Sequence, residues 1–302
     1  MSKDDKKTHH ATVIASYGNQ CKIETADKQL LTAKSLKSIG KPLCGDKISY
    51  KNEQNNEMVI TEILPRSSIL SRRNNLNPKP KQIASNIDQM IIVVSVNDSI
   101  KYGLIDRYLI AATFSNFTPV IVLNKVDLLD KDKVEQLKIN MQNYSDINIS
   151  LFYISAKSNE GVDALLTTMA DKTNIVVGQS GVGKSSIVNA ILPEQPALTK
   201  EISDSTNKGK HTTTTAYLYT IPNNGKLIDS PGIREFGLWN IEKNELAQGF
   251  REIQQYSEQC KFRNCLHHAE PSCAVVAAVN EGTISKQRYE SYLSIFESID
   301  NS

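Results

Sequence analysis

The sequence lacks any apolar stretch that could cross a membrane, and its apolar runs, such as Met90 to Val94, are far shorter than a spanning helix requires. We also expect no secretory signal, because the charged first residues are not followed by an apolar segment. Cysteine is scarce and odd in number, with five in 302 residues, which argues against a disulfide framework. We therefore expect a cytoplasmic protein rather than a membrane-spanning or disulfide-rich secreted one.

Excess charge of either sign is missing as well, since the formal net charge is +2 from 35 basic and 33 acidic residues. The local balance differs in residues 65–85, which contain five basic side chains and no acidic one. Two interpretations of this segment stay open, a solvated linker and a contact with RNA phosphates. The five basic residues are Arg66, Arg72, Arg73, Lys79 and Lys81.

A glycine-rich loop is the most informative motif, because residues 178–185 match the GxxxxGK[ST] pattern of phosphate-binding loops without a mismatch. An apolar run at 173–177 predicts a strand before it, and residues 185–192 predict a helix after it. Glycine lets backbone N–H groups approach phosphate oxygens, and Lys184 and Ser185 would contact the β- and γ-phosphates and Mg²⁺. A plain glycine-rich turn is the alternative. The predicted phosphate site comprises Gly178, Gln179, Ser180, Gly181, Val182, Gly183, Lys184, Ser185 and Ser186.

The spacing of apolar residues along the chain predicts how it divides into domains. Residues 11–64 alternate short strands with tight turns such as Gly18-Asn19, which predicts a small β-barrel of the OB type. Residues 1–10 are predicted to be a disordered tail, and 65–81 a basic linker. From 82 to 240, buried strands alternate with helical spacing, which predicts a doubly wound α/β domain.

Two polar motifs follow predicted strands of this α/β domain. Asn124-Lys125-Val126-Asp127 is an NKxD sequence, and Ser155-Ala156-Lys157 follows the next strand. Both lie at carboxyl ends of strands, where open α/β sheets bind ligands. The Asp127 carboxylate can accept hydrogen bonds from guanine N1–H and N2, donors that adenine lacks, which opposes an ATPase. Lys125 can lie over the base, Asn124 can tie neighbouring loops together, and the Ala156 N–H can donate to O6.

Two further stretches fit the switches of a GTPase. The polar run from Gly209 to Thr215 would place a threonine on Mg²⁺ and the γ-phosphate in the GTP state. In Asp229-Ser230-Pro231-Gly232, Asp229 suits a magnesium contact and the Gly232 N–H suits the γ-phosphate. Ile233 follows where many GTPases carry a water-orienting glutamine, so we expect slow hydrolysis without help. His211 could position or deprotonate the water, with a plain surface histidine as the alternative.

Three cysteines and two histidines fall within residues 260–273. Zinc takes four such ligands in a tetrahedron, and a site filled by four protein ligands is structural. Cys260, Cys265, His267 and Cys273 meet this requirement, with His268 as the alternative fourth ligand and buried free cysteines as the alternative without metal. Behind them a helical apolar face should pack on the zinc module. Its members are Ile284, Tyr289, Tyr292, Leu293, Phe296 and Ile299.

The order of the motifs is unusual, because NKxD and SAK precede the phosphate loop. Such an order is possible when a sheet is cut and rejoined at another surface loop. With the OB-like start and the cysteine–histidine cluster, the chain resembles the circularly permuted ribosome small subunit-dependent GTPase A family. The resemblance is carried by four stretches. They are Asn86-Ile87-Asp88-Gln89, Asp106-Arg107-Tyr108-Leu109, Gly209-Lys210-His211-Thr212-Thr213-Thr214, and a CxxxxCxHxxxxxC pattern beginning at Cys260.

The resemblance implies roles that the residues alone do not. It places the catalytic imidazole at His211 and the switch threonine, which meets Mg²⁺, at Thr213. It favours His267 in the zinc site. It also implies a partner, the small ribosomal subunit with its RNA and proteins, which would be bound in the GTP state during late maturation and released on hydrolysis.

We therefore expect an α/β protein with an OB-type β-barrel at 11–64, a circularly permuted P-loop GTPase domain at 82–240 and a zinc-binding helical domain at 241–302. Its cofactors would be GTP or GDP, Mg²⁺ and one structural Zn²⁺. We expect a monomer with no membrane partner. The alternative is an RNA-binding assembly factor in which GTP only gates affinity; multiple turnover with small subunits distinguishes the two.

Overall fold

A computed structural model of the chain describes residues 8–53, 57–74, 77–97, 99–192, 215–229, 241–268 and 270–299, with the backbone alone for 72–74 and 77–79. The chain forms two compact units, one comprising residues 1–90, 162–177 and 184–235 and the other 91–161, 178–183 and 236–302. No helix in these described ranges is long and apolar enough to span a bilayer. The domain boundaries given above stay a prediction.

The N-terminal strands close into a barrel, which confirms the predicted OB-type architecture. Its strands are β1 (His9–Tyr17), β2 (Gln20–Thr25), β3 (Leu30–Ser35), β4 (Lys47–Glu53) and β5 (Glu57–Ile63), in the order β1-β2-β3-β5-β4. Alternate side chains such as Val13, Ile23 and Ile48 fill the interior. β1 begins at His9 and pairs His9 with Tyr50, so the strand starts earlier than the predicted tail allows.

A β-hairpin occupies most of the segment 65–81 that was predicted to be a linker and continues to Ser85. Its strands are β6 (Ile69–Asn74) and β7 (Asn77–Ser85), which pair antiparallel. Leu70 and Ala84 are fully buried and anchor it. Arg66 donates from Nε to Oδ1 of the buried Asp46 at 2.7 Å. Because this carboxylate neutralises the guanidinium, Arg66 is occupied within the fold, and the basic character of the segment is smaller than its sequence indicates.

The remaining strands form a six-stranded sheet of order β10-β9-β8-β11-β13-β12. β9 and β10 pair in parallel, as do β11 and β13, while β12 is antiparallel to β13. The strand predicted at 173–177 has the predicted bounds, and the helix predicted at 185–192 begins and ends one residue earlier. The strands are β8 (Gln89–Ser95), β9 (Thr118–Asn124), β10 (Ser150–Ile154), β11 (Thr173–Val177), β12 (Tyr217–Thr220) and β13 (Lys226–Asp229). The helices are α1 (Tyr102–Phe114), α2 (Lys131–Asp146), α3 (Val162–Met169) and α4 (Lys184–Ile191).

Helices make up most of the C-terminal part. They are a 3₁₀ turn (Leu246–Gly249), α5 (Arg251–Ser257), α6 (Ala274–Asn280) and α7 (Lys286–Ile299). Tyr292 and Phe296 of α7 are buried in one apolar cluster, as the helical spacing predicted. The cluster also contains Ile110 of α1, and a Cβ on Gly249 would lie 2.8 Å from the Ile110 side chain. The core of this helical part is therefore completed by a helix from the predicted GTPase domain.

A buried ionic network reinforces this junction. Arg288 of α7 donates to the Asp106 carboxylate of α1 and, from Nε, to Glu252 Oε1 at 2.7 Å. The Tyr144 hydroxyl of α2 donates to the same Asp106 at 2.9 Å. Asp106 and Arg288 are at most 2% exposed. Burial raises the pKa of Asp106, and the Arg288 charge opposes that shift.

Replacing Arg288 by methionine should lower the free energy of unfolding by about 3–5 kcal/mol, because two carboxylates are then buried without a cation. Lys286→Met is the matched control, since the Lys286 side chain on the same helix is 82% exposed and pairs with Glu290 at the surface. The control should change stability by about 0.5 kcal/mol or less. Urea denaturation followed by circular dichroism measures both, and equal losses would contradict a structural role for the network.

Candidate functional site

The phosphate-loop motif joins β11 to α4, as the sequence predicts. β11 ends at Val177, and α4 begins at Lys184. Gly183 has φ +96°, and a Cβ there would lie 2.2 Å from Asn124 Nδ2. Gly178 has φ +143°, and its Cβ would lie 2.4 Å from the Val93 carbonyl oxygen. Because an added side chain collides with neighbours on both sides, the tight loop requires glycine at these two positions.

Asn124 connects three loops of the second compact unit. It is the last residue of β9 and is buried. Its Nδ2 donates to the Val182 carbonyl in the phosphate loop at 3.0 Å, and its Oδ1 accepts from the Ala156 N–H at 3.1 Å. The Ala156 N–H, which the sequence suggests as a donor to guanine O6, is thus directed at Asn124 in this structure. The loops that would hold a base and a phosphate are fixed relative to each other.

Lys125 makes a second connection to the phosphate loop. Its backbone is left-handed, with φ 71°, and its Nζ donates to the Gly181 carbonyl at 2.9 Å. Nζ also donates to Asn97 Oδ1 at 3.3 Å, and the Ser95 hydroxyl donates to the same oxygen. Asn97 was missed by sequence reasoning. The signal that could have found it is its position directly after the buried strand β8, at the carboxyl end where ligand-binding loops gather.

The Asp127 carboxylate is open to solvent. It lies in a short 3₁₀ turn, Val126–Leu128, and makes no hydrogen bond or ion pair with any residue that the structure describes. In the third loop Ser155 is buried and its hydroxyl accepts from the Ser158 N–H at 3.2 Å, while Lys157 is exposed. A base placed here would meet a free acceptor at Asp127 and the alkyl chain of Lys125.

The groups predicted to hold magnesium are described in part. Ser185 lies in the first turn of α4 and Asp229 ends β13, and both are half-buried in the first compact unit. Their hydroxyl and carboxylate oxygens are the ligand type that Mg²⁺ prefers. The other three residues predicted to act near the γ-phosphate, His211, Thr213 and Gly232, lie outside the described residues.

Cys260, Cys265, His267 and Cys273 converge, with their ligand atoms all within 4.8 Å of one another. Cys260 Sγ lies 3.8 Å from Cys273 Sγ, and His267 Nδ1 lies 3.6 and 3.5 Å from these two sulfurs. A tetrahedral zinc ion with Zn–S bonds of about 2.3 Å and Zn–N bonds of about 2.0 Å sets S···S near about 3.8 Å and S···N near about 3.5 Å. The donor set and its spacing therefore fit Zn²⁺.

The surroundings select His267 over His268. The His268 ring stacks on Phe296 with centroids 5.6 Å apart, and its nitrogens do not join the ligand atoms. Burial lowers the pKa of His267, so its imidazole is neutral near pH 7 and can offer a lone pair. The Tyr289 hydroxyl donates to the His267 carbonyl at 2.8 Å, and both Glu270 oxygens accept backbone N–H groups of the ligand loop. These contacts hold the loop in its ligand-presenting conformation.

Comparison with known proteins gives consistent matches. A family model described as RsgA GTPase matches residues 63–239. The small ribosomal subunit biogenesis GTPase RsgA of Shewanella oneidensis is 40% identical over 96% of this chain and 83% of its own length. The protein of the same name from Haemophilus influenzae strain 86-028NP is 39% identical over 97% of this chain and 86% of its own length.

Solved structures share the fold. The crystal structure of YjeQ from Thermotoga maritima aligns with a TM-score of 0.82 at 29% identity, over 98% of this chain and 100% of that one. YloQ, a circularly permuted GTPase, aligns with a TM-score of 0.80 at 26% identity, over 100% of this chain and 98% of that one. The circular permutation predicted from the order of the motifs is thereby confirmed.

Proposed function

Since the chain belongs to the RsgA GTPase family, we propose that it hydrolyses GTP to GDP and phosphate in the biogenesis of the small ribosomal subunit. The observation that carries this proposal is the set of bonds from Asn124 to the phosphate loop and to Ala156, beside the unpaired carboxylate of Asp127. These bonds join the loops that we propose to hold the base and the phosphates, and such preorganisation lowers the entropic cost of binding.

The residues divide into groups by the part of the nucleotide they contact. Asp127 accepts from guanine, Lys125 covers it, and the phosphate-loop N–H groups with Lys184 hold the phosphates. A bound Mg²⁺ neutralises charge on the β- and γ-phosphates. The base group is Asn124, Lys125, Val126, Asp127, Ser155, Ala156 and Lys157; the phosphate group is 178–186 with Gly232; the magnesium ligands are Ser185, Thr213 and Asp229.

Hydrolysis by the isolated protein should be slow, because Ile233 cannot orient water, and small ribosomal subunits should accelerate it. The test is multiple-turnover phosphate release with GTP or ATP, with and without purified subunits. Stimulation confined to GTP supports a GTP hydrolase. GTP-dependent subunit binding without multiple turnover would instead favour the alternative, an assembly factor in which GTP only gates RNA affinity.

Replacing His211 by alanine should remove most of the stimulated rate, by about 100-fold or more, if its imidazole positions or deprotonates water. Affinity for GTP should stay within about twofold, since the base and phosphate groups are untouched. The matched control is His10→Ala, a histidine in β1 of the barrel. Phosphate release and binding of a fluorescent GTP analogue are measured for each. Equal stimulation of His211→Ala and parent would assign the role to another group.

The small subunit is the proposed partner, with the GTP state favouring binding and hydrolysis favouring release. This proposal is supported by the names of the relatives, which are small ribosomal subunit biogenesis GTPases. Four protein ligands leave no open position on a zinc ion, so the proposed role of the Cys260, Cys265, His267 and Cys273 site is structural. The four residues would hold Zn²⁺ between the ligand loop and the start of α6, where Cys273 is the N-cap residue.

A further inference from the structure

The C-terminal helical part exposes the aromatic ring of Phe262 to solvent. Phe262 is 42% exposed and is the one large exposed apolar side chain that the structure describes between residues 241 and 299. It lies between two exposed cations, Lys261 and Arg263. The Lys261 ammonium lies 5.6 Å from the centroid of the Phe262 ring. We call Lys261, Phe262 and Arg263 the knuckle triplet.

The knuckle triplet is presented by a short, closed loop. Cys260 precedes it and Cys265 ends the loop, so proposed metal ligands hold both ends. Within it, the Cys265 N–H donates to the Phe262 carbonyl at 3.2 Å, which closes a turn. A ring held in this way loses little conformational freedom when it binds, and the cost of ordering it has been met in folding.

The chemistry of the knuckle triplet points to one class of partner. A single exposed ring, with no second large exposed apolar side chain described between residues 241 and 299, offers too little area for the centre of a protein interface. One ring face is sufficient to stack a nucleobase, and two flanking cations with no acid among the three residues complement the adjoining phosphates. We propose that the knuckle triplet binds an unpaired segment of RNA, with Phe262 stacked on one base and Lys261 and Arg263 on the phosphates beside it.

This inference rests on the proposed function, which places the chain on a ribonucleoprotein particle, and adds the surface and the form of RNA that it takes. Paired RNA hides its bases in the stack, so an aromatic side chain can reach a base in a loop, bulge or strand end. The expected target is therefore a single-stranded nucleotide on the subunit.

The experiment measures binding of a labelled uridine 12-mer to the zinc-loaded full chain with GDP, by fluorescence anisotropy at several salt concentrations. Phe262→Ala should weaken binding by about 5- to 100-fold, as expected for loss of one stacked base, without changing the salt dependence. Lys261→Gln and Arg263→Gln should each lower the slope of log affinity against log salt by about 0.7.

Matched controls come from the chain itself. Phe114, at the end of α1, is 41% exposed, so Phe114→Ala removes an equally exposed ring. Lys138→Gln removes a half-exposed charge on α2. Both should bind the 12-mer like the parent. All the substituted side chains are at the surface, so zinc content and thermal unfolding should stay unchanged and loss of fold is separated from loss of binding.

The possible outcomes distinguish failure of the RNA-site proposal from failure of the proposed function. Equal RNA affinity of Phe262→Ala and Phe114→Ala, or no RNA binding by the parent, overturns the knuckle triplet as an RNA site. Displacement of the 12-mer by uridine monophosphate at equal nucleotide concentration overturns the assignment to a strand. Subunit pelleting is measured in parallel. A parent that neither pellets with subunits nor is stimulated by them refutes the proposed function instead, whatever the 12-mer shows.

Discussion

Replacing Asp127 by asparagine should weaken GTP binding by about 100- to 10,000-fold, because two hydrogen bonds to a charged acceptor are lost at about 1.5–3 kcal/mol each. The same change should raise affinity for xanthosine triphosphate, since the asparagine amide can donate to the carbonyl that replaces the guanine 2-amino group. Competition against a fluorescent nucleotide measures both affinities.

The matched control for this exchange is Asp132→Asn, which removes an exposed carboxylate from the first turn of α2. It should bind both nucleotides like the parent. An Asp127→Asn protein that retains the parent's affinity for GTP would show that the base lies elsewhere. A protein that loses GTP without gaining xanthosine triphosphate would point to a collapsed loop, which reduced thermal stability would reveal.

Replacing Cys265 by serine should release the metal and unfold the residues around it, because structural zinc sites contribute about 10–16 kcal/mol of apparent binding free energy. GTP should still bind, since Asn124 and Lys125 contact the phosphate loop rather than the ligand loop. The difference in subunit affinity between the GTP and GDP states should shrink, as the C-terminal helices would no longer move as one rigid body with α1.

Zinc content and subunit pelleting, with a non-hydrolysable GTP analogue and with GDP, are the measurements. Cys21→Ser is the control, because Cys21 is buried in the barrel and is no part of the ligand set. It should retain zinc and the full preference for the GTP state. If a zinc-free Cys265→Ser protein keeps this preference, the zinc-binding part of the chain does not contribute to the affinity difference between the GTP and GDP states.

Sequence patterns predicted the parts whose chemistry fixes their spacing. A phosphate loop, an NKxD loop and four metal ligands each require given residue types at given intervals, so the spacing alone predicts the roles of Gly183, Asp127 and Cys260. The strands were predicted for a similar reason, because runs buried on both faces are continuously apolar.

What the sequence could not predict depends on contacts between distant residues. Asn97 became visible through its bond to Lys125, and Arg66 through its bond to Asp46. The fold also favours His267 over His268 as the fourth ligand, because the His267 ring is grouped with the three sulfurs while the His268 ring stacks on Phe296 of α7. A local sequence pattern does not identify a partner that lies 20 or more residues away in the chain.

The ion pair between Asp106 and Arg288 can form only late in translation, after the ribosome has synthesised both residues. The two residues are separated by 182 positions. At about 5–20 residues per second of translation, roughly 10–40 seconds pass between their appearance. During that interval the Asp106 carboxylate of α1, which is buried in the folded protein, lacks its partner Arg288. A nascent chain interrupted before α7 would leave this charge and the Ile110 face open, which marks unfinished copies for chaperones and proteases.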